Sequence, residues 1–407
     1  MFQVFLNNQA SSILLAAIIG LTSLTIPGCQ SKTANIPIIP TTQAIEAMTD
    51  FKLAFMPTSI NDSLRQADDW SRQDAGRLAM KSFEVPSGLD HPKIIVSLRL
   101  RSAGDPWDKS GAVLLMSNNW SEAILADSSN NPGILLDAAS GFNPPIELLR
   151  FITPFGVGHY SQKIGADEYR PVYIPKWENE VLWQNDVSHL WDSMKDSITL
   201  GVFIDTWSGE GFEINLDLEF IAQAELRNPR PVREVLSLVN TTKLHSEQHP
   251  FDDFATRPLD FAFQLPVTAR NATLHYIATG HGGHSAGDEF VRCEHILTLD
   301  NDTIAQFTPW RDDCASFRRF NPSSGVWTER TYWRGDSIDE RIASSDYSRS
   351  GWCPGSDVPA LELKLGNLEE GEHQFTIDIP TAQPYTDSEM NFWNVAAYLT
   401  WDGPQEL

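Results

Sequence analysis

The sequence predicts an all-β protein built from antiparallel sandwiches or jelly rolls. Three observations carry this: short segments in which apolar and polar residues alternate strictly, Gly, Pro, Asn and Asp clusters that break them, and very little helical periodicity. The clearest segment is Phe212 to Phe220, where Phe212, Ile214, Leu216, Leu218 and Phe220 face one way and Glu213, Asn215, Asp217 and Glu219 the other. Side chains on a strand point to opposite faces in turn, so this is a strand with one wet face.

The other elements follow the same logic. Val96, Leu98 and Leu100 alternate with Ser97, Arg99 and Arg101; Phe261, Phe263 and Leu265 alternate with Ala262 and Gln264; Phe375, Ile377 and Ile379 repeat the pattern before Pro380. No alternation of strands with long helices suggests βαβ units. Ala44 to Met56 and Val187 to Met194 are the two segments predicted as short helices, the second as a connection between strands.

A chain of 407 residues with 41% hydrophobic content can bury a sizeable core. Its 54 acidic and 30 basic residues give a formal charge of -24, which repels phosphate backbones and argues against nucleic acid and anionic membrane surfaces as partners. The 13 Trp exceed what such a core needs. Surplus aromatics serve either the interior or flat platforms for sugar rings, and composition leaves both open.

The N-terminus reads as a processing segment. Ile13 to Ile26 is an apolar run of signal-peptide length that ends in Ile26, Pro27, Gly28 and Cys29, which resembles the bacterial lipobox. Cys29 would then become the lipidated first residue and the chain's membrane anchor. Gln30 after it points to the outer membrane, facing the periplasm or the cell surface. Pro27 and the lack of Lys and Arg before the run depart from the pattern, and an ordinary cleaved signal peptide is the alternative. Either way the mature protein is exported, so disulfides are permitted.

Cys293, Cys314 and Cys353 remain. An odd count allows at most one internal bridge. Cys314 and Cys353 sit in turn-rich segments and are the expected pair, whereas Cys293 reads as a small apolar residue buried in a strand. Between Ala222 and Asp253 apolar alternation gives way to polar sequence. The expected organisation is therefore a signal peptide at 1–28, a tether at 29–48, one domain at 49–222, a linker with room for a short strand at 223–252, and a second domain at 253–407.

Two stretches concentrate glycine, charge and an aromatic around one charged residue, as a carbohydrate site on a β scaffold would: Gly280 to Phe290, reading GHGGHSAGDEF, and Arg349 to Gly355, reading RSGWCPG. With His295, Trp310 to Cys314 and Asn321 to Gly325 they form an ordered set. In the N-terminal half stand Trp107, Asp108 and Lys109, then Arg150 to Gly158, then Asp205, Thr206 and Trp207. In order and spacing this set resembles the peptide-N-glycosidase F family of bacterial amidases, across most of residues 95 to 400.

The resemblance implies two jelly rolls side by side with an active site in the cleft between them, acting on the amide that joins the innermost N-acetylglucosamine to Asn. The intact glycan would leave as glycosylamine and Asn would become Asp. Asp108 falls at the family's principal catalytic aspartate, Glu289 at a glutamate from the second domain, and Asp205 where a third acidic residue is usually glutamate. Trp107, Lys109, Trp207, His281, Arg349 and Trp352 fall at positions that line the substrate cleft. Lys109 stands where arginine is usual and His281 where tryptophan is, the loop before Trp107 is short, and the cysteines that bracket the family's glutamate are missing around Glu289. These departures suggest a different glycan core.

The chemistry supports such a set independently. Hydrolysing a glycosylasparagine amide needs an activated water, a proton for the departing nitrogen and polarisation of the amide oxygen. Carboxylates held in different environments divide the first two tasks, and Arg349 can supply the third or restrain a carboxylate. His281, His284, Asp288 and Glu289 invite a metal reading, but no third histidine stands at a telling spacing, so neither metal nor cofactor is expected. There is no glycine-rich phosphate loop and no Gly-x-Ser-x-Gly elbow. The expected partner is an N-glycoprotein or glycopeptide, bound by a monomer. The alternatives are a catalytically idle glycan-binding surface lipoprotein and an amidase for another glycosylamide.

Overall fold

Alternation becomes strand wherever the sequence shows it. The structure, a computed structural model, describes residues 41–57, 69–117, 144–156, 177–223, 231–244, 253–282, 287–322, 324 and 326–403. The signal peptide, Cys29 and His284 lie outside the described residues, as do parts of the tether, the linker and the glycine-rich stretch.

The N-terminal half contributes β1 (Thr42–Leu53), β2 (Ser71–Gln73), β3 (Leu78–Glu84), β4 (Lys93–Ser102), β5 (Ser110–Met116), β6 (Ile146–Ile152), β7 (Glu180–Asp186), β8 (Ser197–Ile204) and β9 (Phe212–Ile221). The C-terminal half contributes β10 (Arg233–Asn240), β11 (Leu259–Leu265), β12 (Ala269–His281), β13 (His295–Leu299), β14 (Asp302–Phe307), β15 (Val326–Trp333), β16 (Asp336–Ala343), β17 (Asp357–Val358), β18 (Leu361–Leu368), β19 (Gly371–Asp378) and β20 (Phe392–Asp402).

Two antiparallel sheets form the first jelly roll, in the orders β1-β9-β4-β7 and β17-β6-β5-β8-β3-β2. Two more form the second, β10-β20-β12-β18 and β11-β19-β13-β14, with β15-β16 as a separate hairpin. On β9 every second residue, from Phe212 to Phe220, is fully buried. These join Val96, Leu98 and Leu100 of β4, and Val113, Val202 and Phe151 from the facing sheet, in one apolar core. Phe263, Leu297, Phe375, Ile377 and Trp393 anchor the second.

Three expectations need correction. Ala44 to Met56 is not a helix: β1 takes in most of it and pairs with β9. The same strand begins at Thr42, inside the segment read as a tether. Cys293 is buried and unpaired but lies in the turn before β13 rather than in a strand. Ser188–Ser193 is a short 3-10 helix where a short helix was expected, and β10 lies within 223–252, pairing with β20.

The halves interlock along one seam. β17 crosses over to pair with β6, so a C-terminal strand completes the N-terminal sheet. Arg150 of β6 is ion-paired with Glu147 and donates to the Asn394 carbonyl of β20 at 2.7 Å. Ile152, Ile277, Trp352, Val358 and Ala396 pack as a small apolar cluster between the halves.

Candidate active site

β5 and β8 are antiparallel neighbours, with Gly111 opposite Ile204. The start of one and the end of the other therefore meet at one end of the sheet. Asp108 stands two residues before β5 and Asp205 directly after β8, and the Asp205 amide donates to the Ser110 carbonyl at 2.9 Å. The register of two strands thus converts positions far apart in sequence into neighbours.

The loop carrying Trp107, Asp108 and Lys109 is fixed at several points. The Lys109 amide donates to Thr153 Oγ1 at 2.8 Å, and Thr153 Oγ1 donates to the Trp107 carbonyl at 3.1 Å. Asp105, buried beneath, accepts the Trp107 amide at 3.0 Å and the Thr206 hydroxyl at 2.6 Å. One carboxylate so ties the Asp108 loop to the Asp205 loop. Sequence reading passed over Asp105, although Asp-Pro-Trp is the local signature of a side chain that bonds the backbone two residues on.

The second wall comes from the C-terminal half. Gly355 donates to the Ile152 carbonyl at 3.0 Å and Ile152 to the Ser356 carbonyl at 2.9 Å, which seats the RSGWCPG turn on the end of β6. Cys314 and Cys353 are disulfide-bonded, as expected, and close that turn from below. Arg349 pairs its backbone with Arg311, and Ser350 donates to the Glu289 carbonyl at 2.9 Å. Asp288 accepts the Trp393 indole N–H at 3.1 Å and the Gln383 amide at 3.1 Å, anchoring the turn next to Glu289. Gly280 and Gly282 serve this packing rather than an open sugar surface. A Cβ on Gly280 would come within 2.7 Å of the Asp288 carbonyl oxygen, and one on Gly282, at φ +89, within 2.0 Å of the Met390 carbonyl oxygen.

Arg349 joins the walls. It is 2% exposed, donates from Nε to Glu289 at 2.8 Å, and holds Nη2 3.8 Å from Asp108 Oδ2. Its guanidinium lies 4.9 Å from the Trp352 ring centre and 5.1 Å from that of Phe290. Burial raises both carboxyls above their ordinary range, Asp108 to about 6 and Glu289 to about 7, with Arg349 opposing the shift in each. Asp108 raises Glu289 further by charge repulsion. Two part-buried carboxyls around one cation therefore exchange protons nearer neutrality than ordinary carboxyls, where a general acid or base works best.

Asp205 belongs to a second cation. Arg77, fully buried, donates from Nη1 to Asp205 at 2.6 Å and is ion-paired with Asp74. Its guanidinium lies 4.0 Å from the Trp207 ring centre, with Lys243 at 5.6 Å from the same ring. Burial raises Asp205 and Arg77, Lys109 and Lys243 oppose. The Lys109 charge lowers both Asp108 and Asp205.

Trp107 and Trp207 are 39% and 50% exposed and offer open aromatic surface. His281 and Trp352 do not. Trp352 is 3% exposed and donates its indole N–H to the Gly280 carbonyl at 2.8 Å. His281 is buried between Trp352 and Phe392 and shares a 2.7 Å hydrogen bond with Thr279. Burial lowers it to about 3, so it stays neutral. The structure thus seats both beneath the wall. Among the described residues, no three His, Cys, Asp or Glu side chains are grouped to hold a metal ion.

Family models described as Peptide-N-glycosidase F, N terminal, and Peptide-N-glycosidase F, C terminal, match residues 44–220 and 251–400. The chain belongs to the peptide-N-glycosidase F family. Over 232 residues it is 22% identical to the peptide-N(4)-(N-acetyl-beta-D-glucosaminyl)asparagine amidase F of Elizabethkingia miricola, a match that covers 55% of each chain. It thus spans about half the length of that curated relative. The solved structure of PNGF-II superposes with a TM-score of 0.74 at 29% identity, covering 90% of this chain and 66% of that one. PNGase F, a glycosylasparaginase from Flavobacterium meningosepticum, superposes with a TM-score of 0.58 at 17% identity over 90% of this chain and 97% of its own, a likeness of fold.

Proposed function

We propose that this peptide-N-glycosidase F family member hydrolyses the amide between the innermost N-acetylglucosamine and asparagine of N-glycoproteins or glycopeptides. The observation that carries the reading is the Asp108–Arg349–Glu289 constellation, assembled from both halves of a chain matched by both family models. Asp108, its hold on a proton raised by burial, is a stronger base than an ordinary aspartate. It takes a proton from water as the water oxygen bonds to the amide carbon. That proton passes to nitrogen as the carbon–nitrogen bond breaks, leaving aspartate and a glycosylamine. Glu289, aligned by Arg349, orients water and substrate, Trp107 and Trp207 receive sugar rings, and Asp205 binds sugar hydroxyls.

The run Ile26, Pro27, Gly28, Cys29 supports export and anchoring through a lipid on Cys29. Incubating the mature fragment with a denatured N-glycoprotein tests the activity. Release of intact glycan with the Asn to Asp mass change is expected. Glycan binding without release would favour a binding lipoprotein, and release from another glycosylamide alone would move the substrate.

A further inference from the structure

Arg349 and Arg77 are built alike. Each is a buried guanidinium that holds a carboxylate at hydrogen-bond distance and lies against a tryptophan ring. They differ in what they support: Trp352 is buried, whereas Trp207 is half exposed. Phe55 and Lys243 also stand against the Trp207 ring, at 5.3 and 5.6 Å, but Arg77 alone of the three also holds Asp205, and so links the aim of that carboxylate to the seat of the aromatic surface.

The segment before Arg77 shows how firmly it is held. Asp74, Ala75 and Gly76 all have left-handed backbone, at φ 50, 50 and 89, a conformation that side-chain-bearing residues adopt only when their surroundings impose it. Met56 donates to the Ala75 carbonyl at 2.7 Å, and Ile204 donates to the Arg77 carbonyl at 3.1 Å directly before Asp205. Asp74, itself buried, neutralises the far side of the guanidinium. A planar fork with one nitrogen on each acid and one face on the indole meets three partners at once; a lysine ammonium cannot.

We propose that Arg77 is a positioning residue that couples sugar stacking on Trp207 to the placement of Asp205. The coupling to turnover rests on the function proposed above, whereas the support of Trp207 does not. Arg77→Lys keeps a cation near Asp205 without the flat support. It is expected to raise KM for a glycopeptide about tenfold with kcat nearly kept, as a cation–π contact is lost. Arg77→Met also frees Asp205 and is expected to lower kcat about a hundredfold, as misplacement of about 1 Å can.

Acrylamide quenching of Trp207, taken as the difference between the protein and its Trp207→Phe variant in the wild-type and Arg77→Lys backgrounds, reads the support without any activity. Trp207 is expected to become about twice as accessible in Arg77→Lys, the ring having lost the flat guanidinium stacked on it. If the wild type releases no glycan, the function falls while this measurement still decides the role of Arg77. Unchanged quenching in Arg77→Lys overturns the proposal. So do equal losses of kcat in Arg77→Lys and Arg77→Met that track a shared fall in Tm, which would mark a purely structural arginine. Should Arg77→Met fail to fold, the KM and quenching of Arg77→Lys carry the decision.

Discussion

Glu289 meets Arg349 Nε at 2.8 Å, and through that contact a turn of the second jelly roll is brought against Asp108 of the first. The guanidinium is almost without exposure, whereas the two carboxyls keep a small opening to solvent, 16% for Asp108 and 18% for Glu289. The site therefore exists only while the seam between the halves is closed. Replacing Asp108 by Asn removes the proposed base and keeps the shape. Glycan release is expected to fall by about 10²–10⁴-fold with circular dichroism and Tm preserved. Release at the wild-type rate would remove Asp108 from the chemistry. In the wild type, kcat/KM is expected to rise with pH through about 6, as Asp108 loses its proton.

Glu289 adds a stability signature. Burial lifts its carboxyl from 4.5 to about 7, so between these values the folded state binds more protons than the unfolded one, and stability falls as pH rises through that window. Glu289→Gln fixes the neutral form. Its Tm relative to wild type is expected to shift in its favour between pH 5 and pH 8, by an amount on the order of 1–3 kcal/mol of stability. A difference that stays flat across that range would place Glu289 in an ordinary, solvated environment.

The disulfide closes a loop between residues 39 apart and lies under the turn that carries Arg349 and Trp352. Cys314→Ser with Cys353→Ser is expected to cost about 2–4 kcal/mol, read as a lower denaturant midpoint with m rising somewhat as the unfolded chain loses its cross-link. Activity is expected to fall in parallel, because Arg349 loses the frame that aims it. Full activity in the folded double variant would show that the Arg311–Arg349 backbone pair alone suffices.

The strands were legible because their alternation is regular; β1 shows where that fails. Its register shifts between Glu46 and Met48 and again between Met48 and Phe51. Each irregularity breaks the two-residue period, so Ile45, Met48 and Phe51 are buried at a three-residue spacing that mimics a helix. The acidic positions could be read from motifs, since Asp108, Glu289 and Arg349 do converge. Asp105 carries a local turn signature, but Arg77 carries none: a buried arginine is identified only by what surrounds it, and nothing in the sequence brings Asp74, Asp205 and Trp207 together. His281 and Trp352 show the reverse case, motif residues turned inward to support the wall.

The seam carries its own titration, opposite in sign to that of Glu289. His189 stacks on His275 at 4.7 Å, and His275 stacks on Tyr398 at 4.5 Å, joining the 3-10 helix of the first half to β12 and β20 of the second. His189 shares a 2.9 Å hydrogen bond with the Tyr398 hydroxyl, and His275 one of 3.0 Å with Thr400. Burial lowers both imidazoles, His189 to about 4 and His275 to about 3, with Arg233 adding to each shift, Asp186 opposing it at His189, and Glu362 standing 3.8 Å from His275. The unfolded chain therefore binds more protons below the ordinary histidine value of about 6.5, and stability is lost as pH falls from there toward 4. Replacing His275 by Asn removes one of these proton sinks. The variant is expected to lose less stability than wild type between pH 6.5 and pH 4, whatever its stability at pH 8. Parallel acid-unfolding curves would mean that His275 is protonated as readily in the fold as out of it. Where both titrations overlap, between about pH 4.5 and 6.5, the carboxyls at the cleft gain stability on acidification while the histidines at the seam lose it. Comparing Glu289→Gln with His275→Asn across that interval separates the two.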